Sequence, residues 1–247
     1  MEKIKKVLFF IRCLIPSLYF NLKYLPFRQA IKLPILVYKA QFHVLKGKVV
    51  IDAPKIYTGM IRLGIFASGT YPNNGIFIKH EGVLIFKGKC RIGNDCHIVC
   101  GKLGKIVFGE DFKASAGMKM VSQCGITFGK EVWIGWGGII MDTNSHSLYD
   151  MEKKRFKKAF GEIHIGDNNW MGAQCLILPG VVTPERCIFG ARTVINRGGS
   201  YEPYCVHGGS PIRVLSRNVM LIIGQNHIKD YSDTSLMMQT EAKENED

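Results

Sequence analysis

At 247 residues, with 47% hydrophobic and 21% charged residues, the chain can build one substantial core plus a small appendage, and its composition is not that of a disordered protein. Its 27 glycines argue against long helices over most of the length. The net charge of +13 suits an acidic membrane surface or a phosphorylated ligand, and equally an ordinary solvated surface; with no helix-turn-helix, zinc-finger spacing or RNA-stacking signature, nucleic acid is not an expected partner.

The first element is the run IKKVLFFIRCLIPSLYF from Ile4 to Phe20. It is too short to span a bilayer and is interrupted by Arg12 and Pro16. The pattern predicts an amphipathic helix that lies in a membrane interface or packs on the domain or on a neighbouring subunit. No small-residue cleavage site follows the apolar stretch, so no cleaved signal is expected. The basic, aromatic stretch from Asn21 to Gln41 carries Pro26 and Pro34 and is expected to be irregular. Residues 1–45 are therefore set apart as an appendage, and 46–217 as the body.

Within the body a six-residue period dominates. From Ile165 the chain reads IGDNNW, MGAQCL, ILPGVV, TPERCI and FGARTV before Ile195, so positions 165, 171, 177, 183, 189 and 195 are apolar except for Thr183. The same register holds at Phe86, Ile92 and Ile98, resumes at Phe108, Ala114, Met120 and Ile126, and restarts at Phe128, Ile134 and Ile140. Gly often follows the apolar residue, where it is expected to serve turn backbone angles. Period six fits neither an amphipathic helix nor an alternating strand. It predicts a mainly β chain coiled into stacked turns, each with short strands and one inward residue per face. Thr183-Pro184 departs from the apolar-Gly pair, and a reshaped turn is expected there. The coils before Phe108 read as irregular.

Of eight cysteines, Cys90, Cys96, Cys124, Cys175 and Cys187 each stand four residues after a repeat position, a slot for small inward residues. They read as core thiols in a reducing compartment. With no C-x-x-C pair, a zinc site is not expected.

The repeat is interrupted once, after Ile140, by MDTNSHSLYDMEKKRFKKAFGEIH. A long excursion from a stacked coil gives up packing, and such loops commonly carry function. This one, 142–162, brings Asp142, Asn144 and His146 within five residues.

The repeats resemble those of the hexapeptide-repeat acyltransferases. The pieces IGDNNWMGA (165–173), ILPGV (177–181), FGARTVI (189–195) and GGSPIRV (208–214) resemble the sugar O-acetyltransferase branch, and the N-terminal part more loosely resembles envelope-polysaccharide acetyltransferases. The resemblance implies a left-handed parallel β-helix, a homotrimer with active sites between subunits, and acetyl-CoA as acyl donor with no metal. His146 matches the family's catalytic histidine in the loop before I-G-x-x-x-W. Acyl transfer needs a base for a hydroxyl that barely ionises, and an imidazole suits that task. Asp142 could orient the imidazole, and Asn144 could hold the loop or the sugar. By the same resemblance Trp170, Gly172, Ala173, Gly190 and Ala191 line the pantetheine groove, Asn196 follows, and Arg213 meets the phosphates. Arg217 stands beside Ser216, where the family often has a second basic residue.

The implied acceptor is a sugar hydroxyl in a surface polysaccharide or its lipid-linked precursor, made in the cytoplasm or at the inner face of the membrane. A small soluble acceptor, an amino sugar, or a non-catalytic scaffold are the alternatives. No two histidines have the H-x4-H spacing of the zinc carbonic anhydrases that share this coil. A strand or short helix is expected over 218–228, and a disordered acidic end over 230–247.

Overall fold

The computed structural model describes residues 2–221; the expectations for the C-terminal extension beyond 221 fall outside them. Strands of two to six residues wind through three sheets of nine, seven and six strands. Neighbours within each sheet run parallel, apart from a closing antiparallel hairpin formed by Cys205–Gly208 and Arg213–Arg217. The fold is a parallel β-helix with helical structure at its N-terminal end.

The period-six pattern maps directly onto this geometry. Residues six apart lie on successive faces, and those eighteen apart stack: Ile165 pairs with Thr183, Met171 with Phe189, and Ile177 with Ile195. All six are buried. Upstream, Phe86 pairs with Phe108, Ile92 with Ala114, and Ile98 with Met120, each twenty-two residues on. One four-residue turn, 101–104, enters all three intervals, so the coils there are regular but longer. A second excursion, 64–75, separates the strand Ile61–Leu63 in the first sheet from Ile76–His80 in the second. The expectation of irregular coils before Phe108 is corrected accordingly. His43 and His80 stand in strands.

The glycines after the repeat positions serve a purpose other than the one expected. Gly93, Gly109, Gly129, Gly135, Gly166, Gly172 and Gly190 do not have positive φ. Left-handed backbone falls instead two residues later, on Asp95, Asp111, Glu131, Gly137, Asn168, Gln174 and Arg192. The glycines are needed because successive coils touch. A Cβ on Gly135 would sit 2.6 Å from the carbonyl carbon of Gly172, and one on Gly172 would sit 2.8 Å from the nitrogen of Ala191. At Thr183 the turn is kept: the side chain points inward and its hydroxyl accepts the Gly166 N–H at 3.2 Å.

Inside, Phe86, Phe108 and Phe128 form a near-parallel ladder with ring centroids 5.0 and 6.1 Å apart. Cys90, Cys96, Cys175 and Cys187 are buried as the slot predicts. Cys124 is only partly buried and sits at the corner facing the 142–162 excursion.

The N-terminal segment forms the expected helix and packs on the domain, capping the coil. Helix α1 (Glu2–Tyr24) packs on the first strand, Ile35–Val37, and a short helix α2 (Phe27–Ala30) follows it. The coil thus starts near residue 35, inside the stretch expected to be irregular. That first strand has a free edge, which α1 covers with polar side chains. Asn21 Nδ2 donates to the Ile35 carbonyl at 2.6 Å and its Oδ1 accepts the Ile35 N–H at 3.2 Å. The Val37 N–H donates to Ser17 Oγ at 2.8 Å. Pro16 has no N–H to offer the carbonyl four residues back, and the Lys39 N–H donates to that Arg12 carbonyl at 3.1 Å. Phe20, fully buried against Phe42 at the mouth of the coil, contributes about 1.5–3 kcal/mol of hydrophobic stabilisation.

Candidate functional site

Where the first sheet turns into the second, the outer surface carries a groove of about 490 Å³. One wall is Trp170, Gly172, Ala173, Gly190 and Ala191, the five residues expected to line a pantetheine channel. The structure brings them together because 172–173 and 190–191 are equivalent turns of stacked coils, left open by small residues.

The remainder of the groove was not anticipated. Trp133, Trp136, Arg91, Lys113 and Ala67 also line it. Arg91, Lys113, Trp133 and Trp170 form one in-register row across the first sheet. Each precedes an inward repeat position (92, 114, 134, 171), so strand alternation turns it outward. Lys113 is paired with Asp111 at 3.0 Å and lies over the Trp133 ring at 4.3 Å. Arg91 has no ion pair or hydrogen bond among the described residues. The buried Trp133 Nε1 has no hydrogen-bond partner among them either. Ala67 arrives on the 64–75 excursion, pinned by Asn94, whose side chain accepts the Ala67 N–H (2.9 Å) and donates to the Tyr71 and Pro72 carbonyls (3.1 and 3.0 Å).

Asn196, Arg213 and Arg217 do not line the groove. Asn196 Oδ1 accepts the Gly198 N–H at 2.9 Å and shapes its own turn. Arg213 is exposed in the last strand with no ion pair among the described residues. Arg217 is engaged by Glu202 through two hydrogen bonds of 3.1 and 3.0 Å, which hold the Glu202 carboxyl below its ordinary range.

The excursion 142–162 leaves the second sheet after Ile139–Met141 and re-enters the third at Ile163–Ile165. It is a short β-arm, with Tyr149–Asp150 antiparallel to Arg155–Phe156. His146 is exposed near its base and does not line the groove of its own chain. Its N–H donates to Asn144 Oδ1 at 3.2 Å.

Asp142 does not orient the imidazole within this chain. The fully buried carboxylate accepts Ser122 Oγ (2.7 Å) and the N–H groups of Gln123 (2.7 Å), Cys124 (3.0 Å) and Gly125 (2.7 Å). It stitches the root of the arm to the preceding coil. Asp142→Ala would leave three backbone N–H groups and a hydroxyl unmet. It is expected to destabilise the fold by about 3–5 kcal/mol, with Asn in place of Ala costing less. Urea unfolding measures this; a loss below about 0.5 kcal/mol for the alanine variant would remove the assigned role.

Other reactive groups are masked. Burial, reinforced by the Asp142 charge, pushes the Cys124 thiol up to about 11, so it is not a ready nucleophile. Burial also lowers the pKa values of His80 and His207. Among the exposed histidines, His164 faces outward beside Glu162 at 3.3 Å, and His97 stacks on Phe77 with centroids 5.3 Å apart.

The β-helix thus carries an external corner groove and a projecting arm. No protein-family model matches the sequence. Among curated proteins, the chain is 34% identical over 76 residues to a protein of Staphylococcus aureus (strain COL) named as an acetyltransferase, covering 30% of this chain and 37% of that one. It is 26% identical over 110 residues to the galactoside O-acetyltransferase of Escherichia coli (strain K12), covering 44% and 53%. A crystal structure of a polysialic-acid-specific acetyltransferase aligns with a TM-score of 0.49 at 17% identity, over 82% of this chain and 99% of that one. Over these spans the repeats are similar to those of proteins named as acetyltransferases, a galactoside O-acetyltransferase among them. The matches span about a third to a half of the length of these curated relatives.

Proposed function

We propose that the chain transfers an acyl group, acetyl in the simplest case, from a coenzyme A thioester to a sugar hydroxyl of a surface polysaccharide or its lipid-linked precursor. The observation that carries this reading is the groove itself. Five residues picked out by their resemblance to a donor channel line it together, beside further tryptophans and a free guanidinium. Pantetheine is a thin chain of methylenes and amides. It fits a channel floored by Gly172, Ala173, Gly190 and Ala191, with backbone groups to meet its amides. The aromatic faces of Trp133 and Trp136 suit a sugar ring, so the acceptor lies towards Arg91 and the donor towards Ala191.

In the reaction His146 Nε2 or Nδ1 takes the proton from the sugar hydroxyl as its oxygen attacks the thioester carbon. A backbone N–H of a coil turn meets the oxyanion. The tetrahedral intermediate then expels the thiolate, which takes the proton back from the imidazolium. The products are an ester and coenzyme A thiol. Because His146 and the groove sit at different corners of one chain, this reading requires a neighbouring copy to bring its arm to the groove, as in a closed trimer.

The sequence has three tryptophans, and all three line the groove, so their fluorescence reports on its occupancy. Acetyl-CoA is expected to change that fluorescence saturably, and Ala173→Phe to weaken binding about tenfold or more by filling the channel. Thiol release should then depend on an added sugar. An absence of both saturable binding and sugar-dependent thiol release would overturn the proposal.

A further inference from the structure

Helix α1 turns Ser17, Phe20 and Asn21 to the coil and leaves another face bare. On that face Ile11, Ile15, Leu18 and Leu22 are all exposed, Ile15 to 62% and Leu22 to 55%. Their spacings of four, three and four place them on one line along the helix. Phe27 and Ile31, on and just after α2, continue the exposed apolar surface at 71% and 61%. A contiguous apolar row of this kind on the outside of a folded domain marks a contact surface.

Charge identifies what it contacts. From Lys3 to Lys48 the sequence places ten Lys and Arg and not one Asp or Glu; the first acid after Glu2 is Asp52. The segment therefore supplies most of the chain's +13. Exposed Arg12 and Lys23 flank the apolar row, and Arg28 and Lys32 lie beside Phe27 and Ile31. A second copy of the same segment would meet it with like charge, whereas an anionic lipid surface complements it. No described helix is long and apolar enough to cross a membrane.

We infer that the outer face of α1, extended by Phe27 and Ile31, docks in the plane of an anionic lipid surface. The apolar row enters the headgroup–acyl boundary and the cations meet lipid phosphates. The coil-facing side of α1 is left undisturbed, so docking needs no unfolding of the cap. This goes beyond the acyl-transfer reading and does not depend on it.

The test is sedimentation of the full chain with vesicles of phosphatidylglycerol and phosphatidylcholine against vesicles of phosphatidylcholine alone, with no acyl donor present. Binding is expected to be at least about tenfold stronger with the anionic lipid, because each cation near such a surface strengthens binding by about fivefold. It should weaken as salt shortens the Debye length. The double variant Ile15→Gln with Leu22→Gln is expected to lose about tenfold or more in binding with its thermal unfolding unchanged, since both positions are exposed. Lys23→Glu with Arg28→Glu should abolish the preference for anionic lipid. Failure of the native chain to bind phosphatidylglycerol vesicles, or unchanged binding by the glutamine variant, overturns the inference. So does a fall in oligomeric mass of that variant by light scattering without lipid, which would assign the row to a subunit contact.

Discussion

His146→Ala is expected to slow acyl transfer by about 10²–10⁴-fold, the range that a positioned general base supplies. The fold should not notice. The imidazole is exposed, the loop is held through the His146 N–H and Asn144 Oδ1, and its root is held by Asp142, so the variant should keep native unfolding behaviour. Acetyl-CoA binding, read from the groove tryptophans, should also be unchanged, because His146 does not line the groove of its own chain. The loss should therefore appear in kcat rather than in donor binding, the signature of an interaction made in the transition state. A variant that kept a tenth or more of native turnover would move the base elsewhere. His164 and His97 would be tried next, as histidines that face outward on the coil.

The coil was legible in the sequence because its rule is local. An inward residue every sixth position and stacking every eighteenth leave a trace wherever turns keep their length, as from Ile165 to Ile195. What hid the upstream coils was the 101–104 turn and the 64–75 excursion. Both shift the register without changing which face the next strand joins. The start of the coil at Ile35 was missed for another reason. Pro16, Pro26 and Pro34 mark breaks in local propensity, yet the partners of the first strand's free groups are Ser17 and Asn21, and only the folded chain brings these to it.

The site divides along the same line. Trp170, Gly172, Ala173, Gly190 and Ala191 were picked out by resemblance, and they line the groove together because 172–173 and 190–191 are equivalent turns of stacked coils. Arg91, Lys113 and Trp133 follow from the same frame, as the residue before each inward position on the first sheet, and could have been read that way. Asp142 could not. A carboxylate near a histidine suggests a catalytic pair, and only the geometry shows its oxygens taken by the 122–125 turn. Ala67 was equally hidden, since it reaches the groove on an excursion with no repeat of its own.

The separation of His146 from the groove gives the second large effect. If the active site joins one chain's arm to its neighbour's groove, two inactive variants should rescue each other. His146→Ala chains retain the groove, and Ala173→Phe chains retain the base. Alone, His146→Ala should fall at least about a hundredfold below native and Ala173→Phe about tenfold or more under limiting donor. Unfolded together in equal amounts and reassembled, they should recover up to about a quarter of native activity. In a randomly mixed ring, about one junction in four pairs an intact groove with an intact arm. The recovery should rise and fall with the product of the two fractions as the mixing ratio is varied. A site built within one chain predicts the opposite, because every chain in the mixture then carries one lesion and no junction is whole. Mixtures that stay inactive after confirmed reassembly would place base and donor in the same subunit. The arm would then have to fold back across the second sheet to reach Trp136.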